Sequence, residues 1–171
     1  MEIQEVFTQL LEARVAHLRW VARAEALVEG VALNKEQVPL LATDCDFAHW
    51  YLGAGRALRH LPAYDRVAPP HERLHHIYSD IFAALYTEEE RFNILQWLGI
   101  QRRMNQPNRD KARALLPKLK LASQEVLESL EHLTFELNQY VKRKNIQKNT
   151  PLSDLEKLYN DLENMGYTGK S

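Results

Sequence analysis

The stretch Ala112–Leu137, ARALLPKLKLASQEVLESLEHLTFEL, decides the fold class. Ala112, Leu115, Leu116, Leu119, Ala122, Val126, Leu127, Leu130, Leu133 and Leu137 recur at steps of three and four, which gathers them on one face of an α-helix. Such a stripe must be buried against other helices, so the reading is a long amphipathic helix of a bundle, kinked near its start by Pro117. Asn105–Asn108 (NQPN) marks its beginning. Beyond it, Lys142–Thr150 (KRKNIQKNT) is basic and unpatterned, and Leu152–Met165 carries a short amphipathic helix. The expected division is therefore a helical bundle over 1–145 and a linker with a short C-terminal helix over 146–171.

Working back toward the N-terminus, the same period recurs. Ile3, Leu10, His17 and Ala24 stand seven apart, with Val6, Phe7, Leu11 and Leu18 beside them, which predicts a helix to about Glu29 stopped by Gly30. Val31–Leu40 reads as a loop or partly helical join. A second helix is predicted from Thr43 or Asp44, either of which can cap it, with Leu41, Cys45, Ala48 and Leu52 on one face and Gly53 and Gly55 weakening its end. Proline at 69 and 70 introduces a third helix from around His71, whose stripe Leu74, Ile77, Tyr78, Ile81, Phe82 and Leu85 runs to about Tyr86. Thr87 and Glu90 form a capping-box pattern for a further helix to about Met104. The predicted fold is all-α: an antiparallel four-helix bundle with extra short helices and a C-terminal helix.

Composition agrees with that class and narrows the function. In 171 residues there are only 6 Gly and 7 Pro, which suits long helices with short joins. Basic and acidic side chains number 22 and 23, a net charge of −1, so nothing draws the chain to nucleic acid or to an anionic membrane. The basic cluster Arg102, Arg103, Arg109, Lys111 and Arg113 reads as a solvated helix end. With a single cysteine, Cys45, no internal disulfide forms. The acidic N-terminus does not resemble a signal peptide, and no apolar run reaches the roughly 18 residues of a membrane span, so a cytoplasmic protein is expected.

No phosphate loop, nucleophile elbow or dinucleotide fingerprint occurs. What remains is a set of metal-type side chains: His17 on the first helix, Cys45 and His49 on the second, and His71, His75 and His76 on the third. His71 and His75, four apart, project from one face about one turn from each other, as two ligands of one ion must. Chance alone gives roughly a quarter of such a pair in a chain with this many histidines, so the spacing carries weight only in company. That company is Cys45, in a core-facing register before Phe47, Trp50 and Tyr51, and His17, in the apolar stripe of the first helix. Taken singly, Cys45 reads as a small hydrophobe and His17 as a hydrogen-bonded core histidine. Taken together, several buried polar groups would each need a partner, and one zinc ion would satisfy them all.

These residues carry a resemblance. His17-Leu18-Arg19-Trp20, Cys45-Asp46-Phe47-Ala48-His49-Trp50 and His71-Glu72-Arg73-Leu74-His75 resemble, in order and separation, the three motifs of the chemoreceptor zinc-binding (CZB) domain family. The likeness spans roughly Ile3 to Leu137. It implies a Zn2+ site of His17, Cys45, His71 and His75; His49, four residues after Cys45 on one face, is a rival ligand by spacing and reads rather as a surface histidine or one supporting a ligand. Ala48 stands where the family usually has glycine, and Thr87–Asn108 looks longer than the family's usual join.

Four protein ligands would close the site, which excludes the open position of a catalytic zinc and points to a sensor rather than an enzyme. The resemblance further implies a homodimer and a signalling partner of chemoreceptor or diguanylate cyclase type. Neither module is present in the sequence, so a stand-alone regulator of zinc availability or thiolate oxidation, or an excised one, that acts through a partner is expected. Two other classes stay open. One is a hemerythrin-like or di-metal bundle, for which Glu72 with His75 and His132 with Glu136 supply single carboxylate–histidine pairs. The other is a metal-free interaction bundle.

Overall fold

The computed structural model describes residues 3–86 and 106–146. Helix α1 covers Ile3–Val28 and buries Phe7, Leu10, Ala13, His17, Trp20, Val21, Ala24, Leu27 and Val28. It ends as the sequence predicts. Gly30 takes a left-handed φ of 92°, its N–H bonds to the Leu27 carbonyl at 3.0 Å, and the Val31 N–H reaches back to the Ala26 carbonyl at 2.9 Å. This is the Schellman arrangement, in which a glycine satisfies the last carbonyls of the helix. The join that follows holds a 3-10 turn at Lys35–Gln37.

Helix α2 is shorter than expected, Asp46–Leu52, and it begins one residue after the cysteine. Cys45 is itself the cap: its backbone is extended and its sulfur accepts the Ala48 N–H at 3.4 Å. Neither Thr43 nor Asp44 does this work, because the Thr43 hydroxyl donates to the Asp44 carboxylate at 2.8 Å instead. The predicted shared face of Leu41, Cys45, Ala48 and Leu52 is also corrected, since Leu41 and Leu52 are exposed. Gly53 ends the helix: a Cβ there would stand 2.6 Å from the His49 carbonyl oxygen, so only glycine fits this close return. A 3-10 turn at Ala54–Leu58 and the single turn α3, Pro62–Asp65, follow. The N-terminus of α3 is tied to the long helix by Glu136, whose carboxylate accepts the Ala63 N–H at 2.8 Å.

Helix α4 runs Ala68–Leu85, starting three residues before His71 because Pro69 and Pro70 are accommodated in its first turn. Helix α5 is Gln106–Ile146, 41 residues and about 60 Å long. Pro117 lies inside it without dividing it. Cross-helix pairs give the directions. Glu29 pairs with Arg113, Glu25 with Lys120 at 3.2 Å and Arg14 with Glu131 at 3.0 Å, so α1 and α5 run antiparallel. The Ala63–Glu136 bond and the Arg73–Glu125 pair fix α4 antiparallel to α5 in the same way.

One core joins them, with Leu74, Tyr78 and Ile81 of α4 and Leu119, Val126, Leu130 and Leu133 of α5 at its centre. The fold is all-α, with no strand among the described residues and with α1, α2, α4 and α5 packed on one another. The helix expected over Thr87–Met104 and the tail expected over 146–171, save Ile146 at the end of α5, lie outside the described residues. No described helix is long and apolar enough to cross a membrane.

Candidate metal centre

Two elements bring metal-type side chains to one place in this core. The cap of α2 presents Cys45, and the first two turns of α4 present His71 and His75 from one face, as their spacing of four requires. Sγ of Cys45 and one ring nitrogen each of His71 and His75 lie within 4.8 Å of one another. Sγ stands 3.3 Å from His71 Nε2. All three residues are buried, at 3%, 6% and 4% exposure.

His17, the fourth residue predicted for the site, is 1% exposed and lies beside this group but not within it. Its ring meets Phe47 edge-on, with centroids 6.0 Å apart, and Phe47 in turn packs on His71 at 4.7 Å. Its Nε2 is 2.9 Å from the Ser123 hydroxyl of α5. His49 and His76 are exposed and stand outside the group.

The hydrogen bonds orient the donors. His75 Nδ1 faces the Leu40 carbonyl at 3.1 Å, so it carries the proton and Nε2 carries the lone pair. That Nε2 is buried and has no hydrogen-bond partner. Trp20 packs against the His75 ring at 4.4 Å and is fixed by its own indole N–H, donated to the Pro39 carbonyl at 3.2 Å. The Cys45 thiol can donate to the Ala42 carbonyl at 3.5 Å.

Burial sets the protonation states. Loss of solvation holds His17 down to about 4 and His71 to about 3, with neighbouring imidazoles adding to the effect. His75 is also lowered by burial, against the opposing pull of the Leu40 carbonyl and Asp44. Burial pushes the Cys45 thiol up, against the N–H groups of Ala48 and Phe47. At neutral pH the group therefore holds neutral imidazoles, each with one bare ring nitrogen, beside a protonated thiol.

One sulfur and two or three imidazole nitrogens suit zinc among the common ions, and an orphaned buried nitrogen on a residue of that group is what a ligand position looks like. Residues 17–82 match the family model of the chemoreceptor zinc-binding domain, CZB. The resemblance read from the three motifs holds over that segment, a narrower span than Ile3–Leu137. The family is one of zinc binding rather than of catalysis. No curated protein and no solved structure matches the chain.

Two participants had no signal that sequence reading used. The Leu40 oxygen is a backbone atom, which no residue type announces. Ser123 did leave a trace: it is the polar residue in the register of Leu119, Val126 and Leu130.

Proposed function

We propose that the protein is a zinc-binding regulatory module that holds one Zn2+ with Cys45, His71, His75 and His17. The observation that carries this reading is the buried Cys45–His71–His75 group with its unpartnered His75 Nε2. Zn2+ would supply the positive charge that keeps a buried thiolate ionised. Cys45 would give its proton to solvent on binding, while His71 and His75 would each donate a ring-nitrogen lone pair. His17 closes the set, and four protein ligands leave no position for a reacting water, so the site binds rather than turns over.

Signalling follows from the double role of Cys45 as ligand and as cap of α2. A two-electron oxidant such as hypochlorous acid would transfer oxygen to the thiolate, giving sulfenic acid and chloride, and the metal would be released. Either oxidation or zinc depletion removes a tie on α2 and lets it repack. We take the protein to be cytoplasmic and homodimeric, passing this change to a signalling partner of chemoreceptor or diguanylate cyclase type. Exposed Leu41, Leu121 and Phe135 are available for such contacts.

A di-metal bundle is less well supported. The group contains no carboxylate, His132 is exposed, and Glu136 is engaged with the Ala63 N–H.

The test is metal analysis of untagged protein, wild type against Cys45→Ala, with thiol titration before and after chelation. About one zinc per chain in the wild type, lost in the variant, with the thiol reactive only after chelation, is the expected result. Protein that cannot be loaded with zinc, with a freely titrating Cys45, leaves a metal-free interaction bundle; iron in place of zinc restores the di-metal reading.

A further inference from the structure

The long helix α5 lies outside the segment that matches the zinc-binding family, yet through Ser123 it touches His17, the histidine beside the centre. Ser123 stands in the register of Leu119, Val126 and Leu130, where the rest of the stripe is apolar, and it is buried. A hydroxyl in such a place is unfavourable unless it is hydrogen-bonded. Its partner is the Nε2 of His17, 2.9 Å away. The flanking pairs Glu25–Lys120 and Arg14–Glu131 hold α1 and α5 in the register that makes this contact.

His75 shows what such a bond does: its Nδ1–H goes to the Leu40 carbonyl, and the opposite nitrogen is left without a hydrogen-bond partner. Histidines that bind metals are commonly oriented by a hydrogen bond from the other ring nitrogen. We propose that Ser123 is the positioning residue for His17, its Oγ accepting the Nε2–H so that Nδ1 is the ligating atom and α5 is coupled to the metal centre. This inference rests on the zinc-site reading above. It adds to that reading a fixed tautomer for His17 and a physical link from the site to the 41-residue helix.

The experiment uses the full chain labelled with 15N, titrated with Zn2+ after chelation, in wild type, Ser123→Ala and Ser123→Thr. Long-range 1H–15N correlation spectra of the imidazoles give the tautomers and the zinc-bound nitrogens directly in the wild type. Expected are a proton on His17 Nε2, a zinc-induced shift on His17 Nδ1, and zinc-dependent changes in the backbone resonances of α5 around Ser123. Ser123→Ala is expected to weaken zinc binding by about 10- to 100-fold, with the tautomer preference of His17 lost, and Ser123→Thr, which keeps the hydroxyl, to restore both. Zinc coordinated through His17 Nε2, zinc bound without His17, or Ser123→Ala binding as tightly as wild type would overturn the proposal while leaving the zinc site standing. No zinc-induced shift at any histidine would overturn both.

Discussion

An imidazole in an apolar core has two nitrogens to satisfy, and His75 satisfies one. The bond to Leu40 leaves Nε2 without a partner, and an orphaned buried group of this kind costs about 1–3 kcal/mol. Exposed histidines carry no such requirement. His49→Ala and His76→Ala are therefore expected to keep one zinc per chain and to change stability by less than about 0.5 kcal/mol, whereas His71→Ala and His75→Ala lose the metal. Metal analysis paired with thermal unfolding checks both halves, and loss of zinc from His49→Ala would promote the rival ligand. At this scale the sequence was legible where spacing determines geometry: His71 and His75 share a face of α4 because four residues make about one turn. It was silent on the Leu40 carbonyl, since folding of the join between α1 and α2 places a backbone oxygen that has no residue signature. It was likewise silent on how far His17 stands from the other three, because helix periodicity gives direction around an axis and not the distance between axes.

Among the elements, α2 is the one most closely tied to the centre, through its Cys45 cap and the contact of Phe47 with His71. Its seven residues are too few to be stable alone, so it is held by the Cys45 cap and by Phe47, which packs on Trp50, Tyr51 and His71. Cys45→Ser separates the two roles of that residue. Serine is a good N-cap, so in chelator the variant should stay within about 1 kcal/mol of wild type with α2 still protected from hydrogen exchange. Added zinc should then raise the protection of residues 46–52 in wild type and not in Cys45→Ser. Equal gains in the two proteins would mean that α2 does not sense the metal. The end of α1 gives a prediction independent of zinc: Gly30→Ala forces a side chain into a φ of 92° and brings its Cβ within 2.5 Å of the Arg109 guanidinium. A loss of about 1–2 kcal/mol in urea unfolding is expected. The long helices were readable from their stripes, and Gly30 marked the end of α1 correctly, whereas α4 starts three residues before His71 because both prolines fit its first turn. The start of α2 was not, because an oxygen-bearing cap was available at Thr43 and Asp44 and a sulfur took the position, its place fixed by burial beside His71 rather than by capping preference.

For the whole molecule, the buried imidazoles couple folding to pH. His17 and His71 are held near 4 and 3 in the folded protein but return to about 6.5 when the chain unfolds, and His75 is shifted the same way. Between roughly pH 4 and 6.5 the unfolded state therefore binds more protons than the folded state, so unfolding is favoured as pH falls through that window. For the zinc-free protein, two such groups give a slope of up to about 3 kcal/mol per pH unit near pH 5, enough to consume an ordinary domain's stability of about 5–15 kcal/mol within a few units. Above pH 6.5 these histidines contribute no further change. Cys45 acts at the other end: its thiol is raised by burial, so the folded state keeps a proton that the unfolded chain loses above about pH 9, and stability declines again as pH rises. With zinc bound, the fall on the acid side should start from a higher stability and be steeper, because releasing the ion also takes up the proton returned to Cys45. Urea unfolding from pH 4.5 to 9.5, in chelator and in excess zinc, measures both limbs. A chelated protein whose stability is flat between pH 7 and 4.5 would mean that the three histidines are solvated in solution, and the closed core drawn around them would have to open.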